Sequence, residues 1–330
     1  GVGVNPLRGQ NNVQGAADMG CQPHQGAGYF PVADEKHQEF YTEKYGVTHP
    51  TKPGLKIPQM FEAAINKELK GLWIIGEDIV QTDPNSAHVI EAMNSLELLV
   101  VQEIFMSETA KLATVVLPGT TFLEKDGTFT NTERRIQRVN RAVPPLPGTK
   151  PDGLIVTEMM QKLGFDQPTY DADQVLAEIA DIVPFFKGVT RERLGKFGLQ
   201  WPVQEDGTDT KILHTETFKL GKGRLKNFDW KESSEIEANQ KDYPLILTTS
   251  RVLQHYNAAT MTRRTKNINI VDEDVLLIHP KDAEYRDLNT GDIGRLYSGR
   301  GEVALKVEVT DKVKEGIVFT TFHFPEHMVN

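Results

Sequence analysis

Arg8 is the residue of this chain best suited by type and setting to hold an anion. It stands in NPLRGQNNVQGAADMG, a stretch poor in apolar side chains in which Gly9, Gly15 and Gly20 allow tight turns and close approach to a ligand. A guanidinium held in such a loop offers a planar fork of donors that fits a carboxylate or phosphate. The plainer alternative is a solvated loop arginine. Two other clusters have comparable chemistry. In LWIIGEDIVQTD an apolar strand ends at Ile75 and turns through Gly76 into the acceptors Glu77 and Asp78. Open α/β sheets take ligands at such strand ends, although an ordinary acidic turn is an equal reading. In TTSRVLQHYNAATMTRRT, Arg251, His255, Tyr256, Asn257 and Thr260 come directly after a strand, as a site or as a long polar loop.

Other spacings fall short of a site. HFPEH sets His323 and His327 four apart around Glu326, but Pro325 would break the helix that a zinc-binding H-E-x-x-H pair requires. Cys21 and His24 form one C-x-x-H pair with no second pair to complete a tetrahedron, so Cys21 reads as a buried or incidental thiol. GKGR at Gly221 is a turn. There is no P-loop, no G-x-S-x-G elbow and no strand–GxGxxG–helix arrangement, which weighs against phosphoryl transfer, serine hydrolysis and a standard nicotinamide site.

The elements that must position these residues can be read from hydrophobic periodicity. Residues 1–57 are rich in Gly, Pro, Asn and Gln and read as loop with a little helix. Over 58–150, short apolar strands (LWII, ELLVVQE, TVVLPG) alternate with helical patterns (MFEAAINKELKG, SAHVIEAMNSL, SETAKLA). That alternation predicts an α/β fold, a Rossmann-like layer with a parallel sheet covered on both faces. Residues 151–200 read as a helical cap, and the polar passage DWKESSEIEANQKDY as a linker. The boundary falls near Trp230, giving a body over 1–230 and a second domain over 231–330. In the latter, PLILTTS, DVLLIHP, DIGRLYSG, GEVALKVEVT and GIVFTTFHF are short strands that suggest a small β-barrel.

The bulk numbers bound the partners. With 330 residues the chain has room for two domains. A net charge of −9 with no Lys or Arg run argues against nucleic acid or an anionic membrane. The longest apolar runs are far too short to span a bilayer. One cysteine excludes an internal disulfide framework and a cluster ligated by four cysteines of this chain, and fits a reducing, cytoplasmic compartment. The chain starts at Gly1 without Met or an apolar leader, as a C-terminal portion of a longer protein would.

Taken together, these segments resemble the molybdopterin oxidoreductase family over nearly the whole chain. NPLRGQNNVQGAADMG is the sharpest of them and looks like the version found in formate dehydrogenase catalytic (alpha) subunits. The resemblance implies that Arg8 handles formate beside the metal and that Gln10 lies near the cofactor. It implies further that Gly76, Glu77, Asp78 and Thr82 lie near a guanosine end, with Gln102 and Thr109 as second contacts from VVQEIFMSETAKLATVVLPGTTFLEKDGTFTNTERRIQ. Arg251, His255, Tyr256, Asn257 and Phe322 would line the other pterin, in a segment similar to the family's dinucleotide-binding barrel. The implied cofactor is a bis-molybdopterin guanine dinucleotide carrying molybdenum or tungsten, the substrate pair formate and carbon dioxide, and the partner an electron-transfer subunit. The family's [4Fe–4S] cysteines and the Cys or selenocysteine metal ligand have no counterpart here. They are expected in the N-terminal part of the same subunit, so this portion alone should not turn over formate. Two rival readings stay open: a member of the superfamily that has lost its cofactor, like the large subunit of NADH–quinone oxidoreductase, and a non-enzymatic binding or scaffold module.

Overall fold

The protein is described by a computed structural model covering residues 5–324. In chain order its first elements are helices α1 (Val13–Asp18), α2 (Glu35–Tyr45) and α3 (Ile57–Ile65), strand β1 (Gly71–Ile75), helices α4 (Ile79–Thr82) and α5 (Ser86–Ser95), and strand β2 (Leu98–Glu103). Helix α6 (Glu108–Lys111) precedes strands β3 (Val115–Pro118), β4 (Gly127–Thr130) and β5 (Arg135–Val139). Next come helices α7 (Asp152–Lys162), α8 (Ala172–Ile182) and α9 (Arg191–Leu194), then strand β6 (Leu199–Gln200). The last elements are α10 (Ser234–Asn239), β7 (Ile246–Ser250), β8 (Val275–Ile278), α11 (Pro280–Tyr285), β9 (Ile293–Ser298), β10 (Gly301–Val309) and β11 (Ile317–Thr321).

The chain divides into two compact units. The first takes the residues up to 76, 96–105 and 113–223; the second takes 77–95, 106–112 and the residues from 224 onward. The strands of the expected parallel sheet therefore lie in the first unit, and the loops leaving β1 and β2 in the second.

In the first unit, β1, β2 and β3 form a parallel sheet in that order, as the alternation of apolar strands and helical patterns implies. Their register sets Ile75 beside Gln102 and Gln102 beside Leu117, so the carboxyl ends of the strands line up. A second, antiparallel sheet of β4, β5 and β6 was not expected from the sequence. The core gathers Ile136 of β5, Leu176 and Ile182 of α8, Val183, Phe186, Val189, Leu194 and Val203, all under 9% exposed. Each such side chain contributes roughly 1.5–3 kcal/mol of transfer free energy. Helix α8 starts where Asp171 accepts from the backbone N–H groups of Asp173 and Gln174, satisfying two orphan donors of the first turn. Within the expected loop over 1–57, α2 is a full eleven-residue helix, begun by Asp34 accepting from Lys36 N and ended by Gly46 at φ 68°.

The second unit carries a five-stranded mixed sheet ordered β7–β11–β8–β10–β9. The expected barrel is a curled half-barrel sheet, with parallel pairs β7/β11 and β8/β10 joined by antiparallel β8/β11 and β9/β10. Leu276, Ile278, Leu305, Val307 and Val318 alternate inward along β8, β10 and β11 and close on Ala283 of α11. A period of two on one buried face fixes the register, because a slip by one residue would expose all five.

Candidate functional site

In the first unit, Arg8 and Gln10 are exposed on the loop that leads into α1, and the turn and helix after them are rigidly built. Asn12 takes a left-handed conformation (φ 58°), and its Oδ1 accepts from the backbone N–H of Thr130 at 3.0 Å. Gly15 is required beside it, since a Cβ there would lie 2.1 Å from Asn12 Oδ1. Asp18, the last residue of α1, is fully buried. Its carboxylate accepts from Gln14 Nε2 at 2.8 Å, Tyr29 OH at 2.7 Å and Trp201 Nε1 at 2.9 Å. Burial pushes Asp18 above the usual carboxylate range; the three hydrogen bonds and the charge of Arg8 pull the other way. Burial, then the bond to Asp18, pushes the Tyr29 phenol up as well. The R-G-Q loop thus stands on a platform of paired polar groups. Gly15→Ala should displace Asn12 from Thr130 and cost about 1–3 kcal/mol. A thermal melt within 2 °C of wild type, by the scaling of about 2–4 °C per kcal/mol for chains of this size, would contradict that packing.

At the sheet's carboxyl edge the Gly76 N–H donates to Gln102 O at 2.9 Å, and Gly76 holds φ 65° with open space where a Cβ would point. Gln102 is 1% exposed. Its amide donates to Asp152 Oδ1 at 2.7 Å, while its Oε1 is buried with no hydrogen-bond partner. Thr120 Oγ1, just past β3, is buried and unpartnered too.

In the second unit, Asp78 is 6% exposed and spends its carboxylate on the start of α6. Asp78 Oδ1 accepts from Thr109 N at 2.9 Å and Thr109 Oγ1 at 2.7 Å, and Oδ2 from Glu108 N at 3.4 Å. Thr109, fully buried, in turn accepts from Val80 N at 3.1 Å. Asp78 and Thr109 therefore lock the two strand-end loops to each other, while Glu77 lies exposed and accepts from Thr82 Oγ1 at 2.6 Å. Helix α4 is tied to the 251–260 loop by Gln81 Nε2 donating to Ala258 O at 2.6 Å. The guanosine-end and pterin-end candidates of this unit thus share one hydrogen-bonded frame.

In the 251–260 loop, Arg251 donates to Asn257 Oδ1 at 3.1 Å and lies over the Phe322 ring at 5.1 Å. Asn257 is left-handed at φ 50°. His255 is buried, with its ring nitrogens 3.0 Å from Thr262 Oγ1 and 2.8 Å from Val271 O. The Tyr256 N–H donates to Thr262 Oγ1 at 3.2 Å, and its side chain is about half exposed. His323, which the sequence suggested only as half of an implausible zinc pair, is fully buried 5.4 Å from the His255 ring. Its Nε2 accepts from Val252 N at 3.1 Å, which assigns the ring proton to Nδ1. His327, the other member of that pair, lies outside the described residues. Cys21 is free and exposed, so the buried reading of that thiol does not hold.

Burial, then the charge of His255, pushes His323 down to about 4. The unfolded ring takes up its proton near pH 6.5 and the folded one only near 4, so this stability is present above 6.5 and is lost as pH falls toward 4. The loss should be on the order of 2–3 kcal/mol. Unfolding measured at pH 7 and 4.5 should show it, and His323→Gln should remove that part of the slope. An unaltered slope in the variant would contradict the assignment.

In the first unit the residues present fit a polar ligand: Gln102 Oε1 offers a buried, unused acceptor, a cost to the protein unless a ligand meets it, and Gly76 offers an unobstructed backbone at a strand end. Sequence reasoning missed Asp18, Tyr29, Trp201, Gln81 and His323, because each acts through a partner far away in sequence. The alternation of GIVFTTFHF, which turns His323 inward beside Thr321, was the one available signal.

Comparison with known proteins gives this geometry its setting. Residues 1–162 match the family model described as Molybdopterin oxidoreductase, and residues 245–330 the model described as Molydopterin dinucleotide binding domain. The chain is 43% identical over 330 residues to the F420-dependent formate dehydrogenase subunit alpha of Methanocaldococcus jannaschii, covering 99% of the chain and 49% of the relative. It is 41% identical over 338 residues to the F420-dependent formate dehydrogenase 1 subunit alpha of Methanococcus maripaludis, covering 100% and 49%. The chain spans about half the length of the curated relatives it matches. The solved structure of Acetylene Hydratase from Pelobacter acetylenicus is similar in fold, with a TM-score of 0.61 over 86% of the chain and 42% of that structure at 20% identity. With both domain models matched in order and an α/β layer followed by a half-barrel sheet, the chain belongs to the molybdopterin oxidoreductase family.

Proposed function

We propose that this chain works in a protein that oxidises formate to carbon dioxide at a molybdenum or tungsten centre held by two molybdopterin guanine dinucleotides. The observation that carries the proposal is the R-G-Q segment: an exposed arginine fork on a platform fixed by Asn12, Gln14 and Asp18, in a chain whose relatives are named formate dehydrogenases. When bound, the cofactor would supply the two-electron chemistry at its metal. The chain's own residues would bind and orient. Arg8 would hold the formate oxygens as a bidentate pair, keeping the carbon free to face the metal, with Gln10 lining the same side. In the first unit Gln102 Oε1 would accept from the ligand and the backbone at Gly76 would approach it closely; in the second unit Glu77 would accept from the guanosine end. Asp78, Thr82 and Thr109 would act by holding that loop in place. Arg251, His255, Tyr256, Asn257 and Phe322 would enclose the other pterin.

The metal's protein ligand, the [4Fe–4S] relay and the contact to an electron-transfer subunit belong, on this reading, to the rest of the protein. Among the described residues no helix is long and apolar enough to cross a membrane, and we assign the protein to the cytoplasm, where one free thiol is at home. Metal analysis together with guanine nucleotide released by acid hydrolysis tests the cofactor half of the reading. Molybdenum or tungsten with two guanine nucleotides for each metal is expected from the full-length protein; neither metal nor nucleotide would favour a cofactor-free relative and sink the proposal.

A further inference from the structure

The two edges of the five-stranded sheet in the second unit are built differently. The strand order sets β9 at one edge and β7 at the other, and among the described residues β11 is the strand paired with β7. Ile246 N donates to Gly316 O at 2.9 Å, so Ile246, Thr248 and Ser250 turn their backbone groups toward β11. Because these groups alternate along a strand, the N–H and C=O of Leu247 and Thr249 face outward. All five residues of β7 are exposed, while its neighbour β11 is largely buried. Ile246 and Leu247, consecutive and therefore on opposite faces, are each nearly half exposed. Natural proteins blunt such an edge with charge, proline or a bulge. On β9, Arg295 supplies the charge and pairs across the strands with Glu302 of β10. ILTTS has no charged residue and no proline, and it runs in unbroken register along β11.

We propose that the outer edge of β7 is a docking edge for an extended segment of the same full-length polypeptide lying outside these 330 residues, which joins the sheet as a strand beside β7. This pairing is independent of which substrate the protein takes. An extended segment meets both needs of the edge at once: its main chain bonds the outward groups of Leu247 and Thr249, and its side chains cover Ile246 and Leu247. Two observations favour the same polypeptide over a second copy or another subunit. The chain matches its relatives over 99% and 100% of its own length but spans only 49% of theirs, so proteins of this kind have ample further chain. The sheet also curls until the ring of Tyr243, just before β7, meets the ring of Tyr297 on β9 at 6.0 Å, and Arg300, after β9, pairs with Glu235 of α10. A single tethered strand, at the high effective concentration that a tether gives, fits such a partly enclosed edge better than a second folded body does. Since β7 runs directly into Arg251, a strand that fixes β7 also fixes the start of the 251–260 loop.

In the full-length protein, amide exchange read residue by residue should show Leu247 and Thr249 exchanging about as slowly as Val318 and Phe319 of β11. Exchange at the rate of unstructured chain would overturn the proposal, because no strand would then cover them. Photo-leucine in place of Leu247, close to it in shape, should on illumination cross-link to a peptide of the same polypeptide outside the 330 residues. A cross-link that joins two differently isotope-labelled copies, or that reaches another subunit, would assign the edge to an intermolecular partner and overturn the proposal as well. Thr249→Pro removes an outward donor and leaves the β7–β11 hydrogen bonds in place, so a free edge tolerates it. With the edge covered, the variant should lose the cross-link, exchange its 251–260 amides faster and melt several degrees lower. A variant that keeps all three at wild-type values would contradict the pairing. Should the variant not fold, exchange and cross-linking in the otherwise unchanged protein still decide.

Discussion

Arg8→Lys, in the complete protein, should cut formate turnover by on the order of a hundredfold or more while leaving metal and guanine nucleotide content close to wild type. Lysine keeps the positive charge but replaces a planar fork with a single hydrated point of charge. Two parallel hydrogen bonds fix a carboxylate in a plane, whereas one ammonium lets it turn. On the proposed reading the reaction would depend on that plane, because the formate carbon would have to be presented with its oxygens held away, and a displacement of about 1 Å in such a site can cost on the order of a hundredfold in rate. Arg8 is exposed and precedes α1, so the substitution should leave stability within about 0.5 kcal/mol. The contrasting expectation for a solvated loop arginine is unchanged kinetics. Steady-state constants for formate, normalised to bound metal, separate the two. Unchanged kcat and KM in a metal-replete variant would take Arg8 out of the active site.

Asp78→Ala should act in the opposite way, through cofactor content. The Asp78 carboxylate receives Thr109 N, Thr109 Oγ1 and Glu108 N, and Thr109 passes the constraint on to Val80. Truncation would leave these donors buried without an acceptor, at about 1–3 kcal/mol for each one left unsatisfied. The loop that presents Glu77 and Thr82 would lose its anchor. Guanine nucleotide and metal content should fall several-fold together, and the activity that remains, divided by metal, should stay near wild type. Asp78→Asn keeps one acceptor oxygen and should give an intermediate loss. Full cofactor content in Asp78→Ala, with its melting temperature unchanged, would show that the loop holds its shape without this residue.

Arg8 could be singled out in the sequence as a candidate and the part Asp78 plays in its loop could not, and the fold divides in the same way. The parallel strands β1, β2 and β3 could be read directly, because buried parallel strands are short continuous apolar runs and each is closed by Gly, Pro or an acidic turn. The β8, β10 and β11 faces were legible through their period of two. The sheet of β4, β5 and β6 was not, because GTFT and RIQRV are short, polar and charged, and pair with a two-residue strand some sixty positions on. Helix α2 was hidden by its composition: EKHQEFYTEKY has no apolar stripe, and the helix is defined by the Asp34 cap and the Gly46 stop.

Among the candidate residues, Arg8, Gly76 and Arg251 could be singled out from their type and from the strand or glycine turn beside them. Asp78 reads as an acceptor for a ligand until Thr109, thirty-one residues later, is seen to occupy it. The burial of Asp18 was equally hidden, since its partner Trp201 lies 183 residues downstream. In both cases a local pattern gives the chemistry of a side chain and only the tertiary fold decides what that chemistry is spent on.

Whether a protein containing this chain oxidises formate at a pterin-bound metal is decided by the fate of isotopically labelled formate given to the full-length, metal-replete protein. Labelled carbon dioxide is expected in a one-to-one ratio with two-electron reduction of an acceptor dye, abolished by removal of the metal and strongly reduced in Arg8→Lys. A metal-replete protein that leaves labelled formate unconverted while reducing or hydrating another small substrate would contradict it.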